Sequence, residues 1–531
     1  MITGHEVWNQ SVSQDMGVRK IGEKEVFTFL HMRNNFYEIL EDTVQRFPDK
    51  TAFCDNWSRS YTYREFQILV DSMAATLEAL GVRKGSHVGL LLHNSIEFCA
   101  SFYAVCKLGA VTVPFPSKYR RTEIRSLIDK ADLSYLLCAE KFREWVCDYE
   151  QKGIFICYSE NEEEGFGFRH LELKEGKPGG GRGELTDEVI LMFTSGTTSE
   201  SKGVVLKNYN IIHAVIIYQR LCQVTSEDKT IIPVPIYHIT GLIALLGLFV
   251  YTGGTVYLYR RYDARQILQC IKENNITFMH GSPTVFGLLM DFKEAYPKLP
   301  SIRTLLCGSS YMPVEKMKQL HGWMPSMKLM TVFGMTETSS PGTLFPYDAA
   351  TSIYPSSSGR PIPGMELKIV DENGKEVETG QVGIVFVRGA NVLEYYYNMQ
   401  TDLITEDGWL NTGDMGYVNE DSYVFFVDRK KDMINRGGEK IWCTDVEDEL
   451  LALEGIRDTA VVGIPSEKYG EVAAAIVVCE KGCFEKEEDI RQALGHKMAR
   501  YKIPERILFV EEIPKTPGLK VDKKYIRTLF K

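Results

Sequence analysis

The sequence predicts an α/β protein: a large N-terminal domain of α/β subdomains, a β-rich subdomain, and a small α+β C-terminal domain. Three observations lead there. His87–Leu92 and Val111–Pro114 are strand-like apolar runs separated by a helical pattern, which is a βαβ unit. Between Tyr262 and Glu337 a short apolar strand followed by a small, glycine-bearing turn occurs three times. After Pro361 the texture changes to short strands and tight turns, and residues 432–531 mix helix and strand patterns.

Composition bounds the function. A chain of 531 residues, 44% hydrophobic and 25% charged, has room for several soluble domains. A net charge of -10 argues against nucleic acid or an anionic membrane as the main partner, because affinity for phosphate backbones comes from clustered Lys and Arg. The 12 cysteines form no CxxC pair and no Cys/His cluster at zinc spacing, so they read as reduced thiols without a structural metal. The most apolar run, Ile239 to Val250, is too short to span a bilayer, and no leader pattern opens the chain. A cytoplasmic protein without a transmembrane segment is expected, its oligomeric state open.

In chain order, residues 1–33 are polar and mixed and read as an N-terminal arm. Regular structure is expected from Asn34. Asn94-Ser95-Ile96-Glu97 reads as a helix start with a capping box, and Gly109 as its stop. Glu160 to Glu184, acidic and then glycine-rich, reads as a mobile surface connection. Next, Ile190–Phe193 and Val204–Leu206 read as buried strands around the hydroxyl-rich turn Thr194-Ser195-Gly196-Thr197-Thr198-Ser199-Glu200-Ser201-Lys202-Gly203. Glycine lets a backbone approach an anion closely, hydroxyls add donors and Lys202 adds a point charge, a composition suited to a polyphosphate. A solvated Ser/Gly loop is the other reading of this stretch alone.

The three repeated strand–turn units are Ile276–Met279 into Gly281-Ser282-Pro283-Thr284, Thr304–Cys307 into Gly308-Ser309-Ser310, and Leu329–Phe333 into Gly334-Met335-Thr336-Glu337. Ligands of open α/β sheets sit beyond the carboxyl ends of strands, so the turns are expected to line one pocket facing the central loop. Beyond them come the hairpin-like Gly408–Asp414 and the polar run Asp428–Asp432, where a domain boundary falls at Arg429 to Lys431.

Together these segments resemble the adenylate-forming superfamily of acyl-CoA synthetases, luciferases and peptide-synthetase adenylation domains. Five motifs stand in the family's order: FTSGTTSESKGVV, PIYHITGL, FGMTET, WLNTGDMGYV through FFVDRKKDMINRGGEKI, and PGLK. The long motif and the setting of His238 look most like fatty-acid and carnitine-type CoA ligases. The resemblance implies an AMP-forming acid–thiol ligase that uses ATP, Mg2+ and CoA, adenylates a carboxylic acid and passes the acyl group to a thiol.

It also implies roles. Thr194, Ser195, Gly196, Thr197, Thr198 and Lys202 would hold the β- and γ-phosphates, Thr336 the α-phosphate, and Glu337 the Mg2+. Gly308, Ser309, Ser310, Phe333 and Gly334 would wall the adenine, with Asp414 and Arg429 at the ribose. Lys520 would bridge carboxylate and phosphate, with Lys515 and Lys523 as fallbacks because Gly518 stands one place earlier than usual in PGLK. Lys431 would be the hinge between domain 34–428 and a mobile lid, 432–531, and Gly437, Gly438 and Glu439 would face CoA. Tyr237, His238, Thr240, Gly241, Thr284 and Gly308 would form the acyl pocket, Gly241 and Gly308 leaving a tunnel open. Apolar Leu242, Ile243, Leu245 and Leu246 favour an apolar, medium- to long-chain acid, and no acidic residue stands ready for an amino group. The alternative is an acyl-AMP ligase loading a carrier protein, whose relatives tend to carry an insertion not seen here.

Overall fold

The expected βαβ unit is present in the computed structural model, where His87–Leu91 and Val111–Pro114 run parallel with helix Ile96–Lys107 crossing between them. Ser95 caps the helix by accepting the Phe98 N–H at 3.2 Å, and Gly109 ends it at a φ of 64°. The expected capping box is absent, because the third helical residue is Phe98. Glu97 instead takes the guanidinium of Arg59 at 2.7 Å.

The structure describes all 531 residues except 57–58, 160–166, 170–172, 175, 177–182, 195–200, 481, 485 and 517–519. The expected mobile connection at Glu160 to Glu184 falls largely outside the described residues. So do Ser195, Gly196, Thr197 and Thr198, and the Pro517-Gly518-Leu519 of PGLK. The strands flanking the hydroxyl-rich turn are described. Glu188–Thr194 lies parallel to Val111–Pro114 and antiparallel to Lys202–Lys207, with Thr194 opposite Lys202, closing one side of a seven-stranded sheet.

A nine-stranded sheet carries the three repeated units side by side: Phe278–Gly281, Thr304–Cys307 and Lys328–Phe333 are consecutive parallel neighbours. Their apolar sequences follow from burial on both faces, and parallel pairing brings all three carboxyl ends to one edge.

The β-rich subdomain is a five-stranded sheet in the order Ile2–Thr3, Met365–Val370, Gly383–Gly389, Leu410–Val418, Val424–Arg429. Its first strand corrects the reading of residues 1–33 as an arm. Ile2 pairs with Leu367, and Met16–Ile21 with Lys24–Phe29 form a hairpin whose Thr28 hydroxyl meets buried His213 Nδ1 at 2.8 Å. These strands are too short for a periodic signal, and their partners lie in distant sequence.

The C-terminal body has apolar clusters on both faces of its own sheet, with Ile434, Val446, Ile490 and Ile507 on one side and Val462, Ile476 and Ile526 on the other. The chain passes between the bodies after the strand Val424–Arg429 and before Ile434–Arg436. The apolar run from residue 239 is a buried, wide-turned helix over Thr240–Gly247 continuing as Leu248–Thr252. No helix among the described residues is long and apolar enough to cross a membrane.

Candidate active site

The three strand ends meet where expected. Gly308 follows the strand Thr304–Cys307 and donates its N–H to the Gly281 carbonyl at 3.1 Å, locking two of the turns together. Ser309 then adopts a φ of 69°, a left-handed conformation unusual for a side-chain-bearing residue. Ser309 and Ser310 are exposed to the space beyond the strands. The Phe333 ring stacks on Phe426 with centroids 3.8 Å apart and 21° between planes. Gly334 is obligatory, since a Cβ there would meet the Ser340 carbonyl oxygen at 1.3 Å.

Thr336 and Glu337 lie in the short 3-10 turn Thr336–Thr338. The Glu337 carboxylate is buried, and Oε1 accepts the Tyr396 hydroxyl at 3.1 Å. Burial pushes its pKa up, against the opposing pull of the Tyr396 bond, Lys202 and Arg429. A buried carboxylate left short of positive charge is a hard oxygen ligand looking for a cation. Among the described residues no cluster of three His, Cys, Asp or Glu offers a complete protein cage. The donor set therefore suits Mg2+ held jointly with phosphate oxygens, the usual arrangement for that ion.

Asp414 and Arg429 are cross-strand neighbours in the β-rich sheet, joined at 3.3 Å. Burial raises the Asp414 pKa to about 6, which Arg429 and Lys520 partly offset. Lys520 reaches this group from the C-terminal body. The Lys520 carbonyl accepts the Thr516 N–H at 2.7 Å. The ammonium is open to the cleft yet walled by protein, which lowers its pKa together with Arg429, while Asp414 and Glu337 pull the other way. Of the fallback lysines, Lys523 is committed elsewhere, paired with Glu447 at 3.6 Å.

His238 follows Tyr237, their rings 4.5 Å apart. Burial, then Lys520 and Lys118, push its pKa down to about 3, so the ring is neutral at physiological pH. Thr284 is half-buried near the start of helix Pro283–Met290, which Ser282 caps. Two glycines need a corrected reason. A Cβ on Gly241 would strike Ile236 Cα and the Pro235 carbonyl at 2.8 Å, and one on Gly308 would meet Val332 Cγ1 at 2.7 Å. Close backbone packing requires these glycines, not an open tunnel; Leu242, Ile243, Leu245 and Leu246 are likewise fully buried core.

The structure thus gathers Glu337, Asp414, Arg429, His238 and Lys520 into one electrostatic neighbourhood. It does not bring in Gly437, Gly438 and Glu439. They occupy a C-terminal hairpin turn in which Gly437 N–H bonds Tyr469 at 2.8 Å and Gly438 N–H bonds Asn435 at 3.0 Å. Among the described residues none of the three is bonded to the large body. Lys431 is exposed between the bodies. Sequence reading missed Lys118 beside His238, Phe426 behind Phe333, and Tyr396. The run Tyr395-Tyr396-Tyr397 was the available signal for the last.

A family model described as AMP-binding enzyme matches residues 40–397, and one described as AMP-binding enzyme C-terminal domain matches 445–520. The chain is 30% identical to the 2-succinylbenzoate–CoA ligase of Enterococcus faecalis, covering 91% of this chain and 96% of that protein. It is 28% identical to the long-chain-fatty-acid–CoA ligase FadD13 of Mycobacterium tuberculosis, covering 88% and 93%. The crystal structure of ATP-bound MatB from Rhodopseudomonas palustris superposes with a TM-score of 0.84 at 25% identity, over 94% of this chain and 99% of the other.

Proposed function

The chain belongs to the AMP-binding enzyme family, and from that premise we propose that the acid it activates is apolar, of medium to long chain or similar bulk. As a member it is an AMP-forming acid–thiol ligase, an acyl-CoA synthetase that uses ATP and CoA. The observation that carries the reading of the acid is buried Tyr237 beside His238, their rings 4.5 Å apart, while the charges around His238 bear on the carboxylate end. The charged groups acting on that neutral ring, Lys520 and Lys118, are both cations. Such a setting attracts a carboxylate and repels the ammonium of an amino acid. Buried Tyr237 beside it supplies an apolar wall, and the likeness to FadD13, named as a long-chain ligase, points the same way.

In the first half-reaction a carboxylate oxygen attacks the α-phosphorus, the bond to the bridging oxygen breaks and pyrophosphate leaves. Lys520 holds the attacking carboxylate against the phosphate, with His238 flanking it. Thr336 bonds the α-phosphate; Thr194 through Lys202 hold the β- and γ-phosphates. Glu337 would hold Mg2+, which when bound would supply positive charge to the phosphate oxygens. Adenine lies against Gly308, Ser309, Ser310, Phe333 and Gly334. Asp414 accepts from both ribose hydroxyls, as an ionised carboxylate can, and Arg429 adds a contact. Catalysis here is positioning plus charge stabilisation. In the second half-reaction the thiol sulfur attacks the acyl carbon and AMP leaves. For that step residues 432–531 swing about the hinge 429–431, with Lys431 as pivot, so that Gly437, Gly438 and Glu439 face CoA.

The test is pyrophosphate release over a panel of carboxylic acids, with CoA present and absent. Octanoate and palmitate should exceed acetate, oxalate and 2-succinylbenzoate. A dicarboxylate or an amino acid as best substrate would overturn the apolar reading. Adenylation without thioester formation on CoA would move the acceptor to a carrier protein.

A further inference from the structure

One side chain that no motif singled out stands between two of the proposed ATP contacts. Tyr396 is buried, with its hydroxyl on Glu337 Oε1 at 3.1 Å. Its ring faces the other way, with Lys202 Nζ 5.4 Å from the centroid. Its backbone bridges Val204, and the next residue, Tyr397, donates its N–H to Gly203 at 2.7 Å. On the Glu337 side, Leu393 N–H bonds the Glu337 carbonyl at 2.8 Å, and Asn391 Nδ2 bonds the Thr338 carbonyl at 2.8 Å. The segment 391–397 therefore clamps the turn bearing Glu337 to the first residues after the hydroxyl-rich turn.

A lone structural tyrosine needs only a partner for its hydroxyl. This one holds a carboxylate with one end while its ring face is turned to an ammonium, an orientation in which the quadrupole of the ring attracts the cation. Without it, Glu337 Oε1 loses that O–H donor, and Lys202 loses the surface on which it rests.

We propose that Tyr396 is a positioning residue for metal–nucleotide binding, fixing the Glu337 carboxylate and the Lys202 ammonium relative to one another. The proposal rests on the reading of Glu337 as the Mg2+ ligand and Lys202 as a phosphate contact. It needs no bond change at Tyr396, which touches neither substrate nor reacting atoms.

The experiment compares Tyr396→Phe, Tyr396→Leu and Glu337→Gln with the unmodified full chain. Binding of Mn2+ in the presence of a non-hydrolysable ATP analogue is followed by electron paramagnetic resonance, and the Mg2+ half-saturation of pyrophosphate release is measured at saturating ATP. Thermal melting reports folding. Tyr396→Phe keeps the ring and removes one hydroxyl, so it should raise both metal half-saturation values roughly tenfold, the size of losing a hydrogen bond to a charged group. Metal-free binding of the analogue should stay near normal. Tyr396→Leu should in addition weaken metal-free analogue binding roughly threefold, through Lys202. Glu337→Gln should abolish the Mn2+ signal. If Tyr396→Phe binds Mn2+ like the unmodified protein while Glu337→Gln does not, the proposal fails and the Glu337 reading stands. If Glu337→Gln also binds Mn2+ normally, both fail. A melting temperature that falls in Tyr396→Phe with no change in metal half-saturation would reduce Tyr396 to a packing residue.

Discussion

The two walls of the active-site cleft are built in opposite ways. On the large-domain side Glu337 and Asp414 are buried, and the turns around them are locked by backbone bonds such as Gly308 to Gly281 and Leu393 to Glu337. The C-terminal wall arrives as a body with its own cores, joined to the large one by polar pairs and by Trp442 packed against Val370, Ile384 and Met415. Tyr311 O–H bonds Asp448 at 2.7 Å, Lys316 pairs with Asp458 at 2.6 Å, and Arg457 with Asp291 at 3.6 Å. Polar pairs of this kind separate at little cost, whereas a strand end inside a nine-stranded sheet does not move alone. On the proposed reading one wall is preorganised for nucleotide, and the other brings Lys520 to it only while docked.

That contrast breaks most visibly at Lys520. Lys520→Ala should slow acyl-adenylate formation by ~10²–10³, the loss expected for one preorganised charge. Thioester formation from supplied acyl-adenylate and CoA should survive. Glu337→Ala should cost adenylation a similar ~10²–10³. Single-turnover kinetics of each half-reaction checks both, with Lys515→Ala as control; equal slowing of the two steps by Lys520→Ala would remove the lysine from its role.

A smaller effect, confined to the other half-reaction, is expected at the pivot. Lys431→Pro should slow thioester formation roughly tenfold more than adenylation, since proline fixes φ near −65° and a hinge works by changing a few backbone angles. Equal slowing would place the pivot elsewhere.

Asp414 sharpens the comparison through pH. Its folded pKa of about 6 lies above the ordinary 3.8, so between those values the folded state binds more protons than the unfolded one. The contribution of Asp414 to the stability of the nucleotide-free protein therefore falls as pH rises through this window and levels off above about 6. Asp414→Asn should raise the melting temperature at pH 7, with the gain shrinking toward 3.8, while weakening ATP binding. A lower melting temperature at neutral pH would contradict the burial argument. The smallest effect belongs to the C-terminal wall: Tyr311→Phe, losing one bond across the cleft, should slow adenylation by roughly twofold to fivefold and leave thioester formation from acyl-adenylate unchanged. Measuring the two half-reactions side by side decides it.

What could be read from residue order alone was whatever local chemistry dictates. Strand followed by glycine turn is a local signature, and three copies in an α/β context place three turns at one sheet edge because parallel pairing leaves them nowhere else to go. The helix capped by Ser95, the strands around the hydroxyl-rich turn and the break after Arg429 belong to the same class. Tertiary structure decided everything that depends on partners far apart in sequence. Ile2–Thr3 becomes a strand only because Met365–Val370 offers an edge, and two residues carry no periodicity of their own. Gly308 and Gly241 are small because Val332 and Pro235 crowd them, a reason invisible until the backbone is packed. Asp414 meets Arg429 across a hairpin, and Tyr396 meets Glu337 from another segment altogether. Residue types can announce a site's chemistry, but a carboxylate's pKa and a tyrosine's purpose come from what the fold places within a few ångströms, and sequence order does not specify those distances.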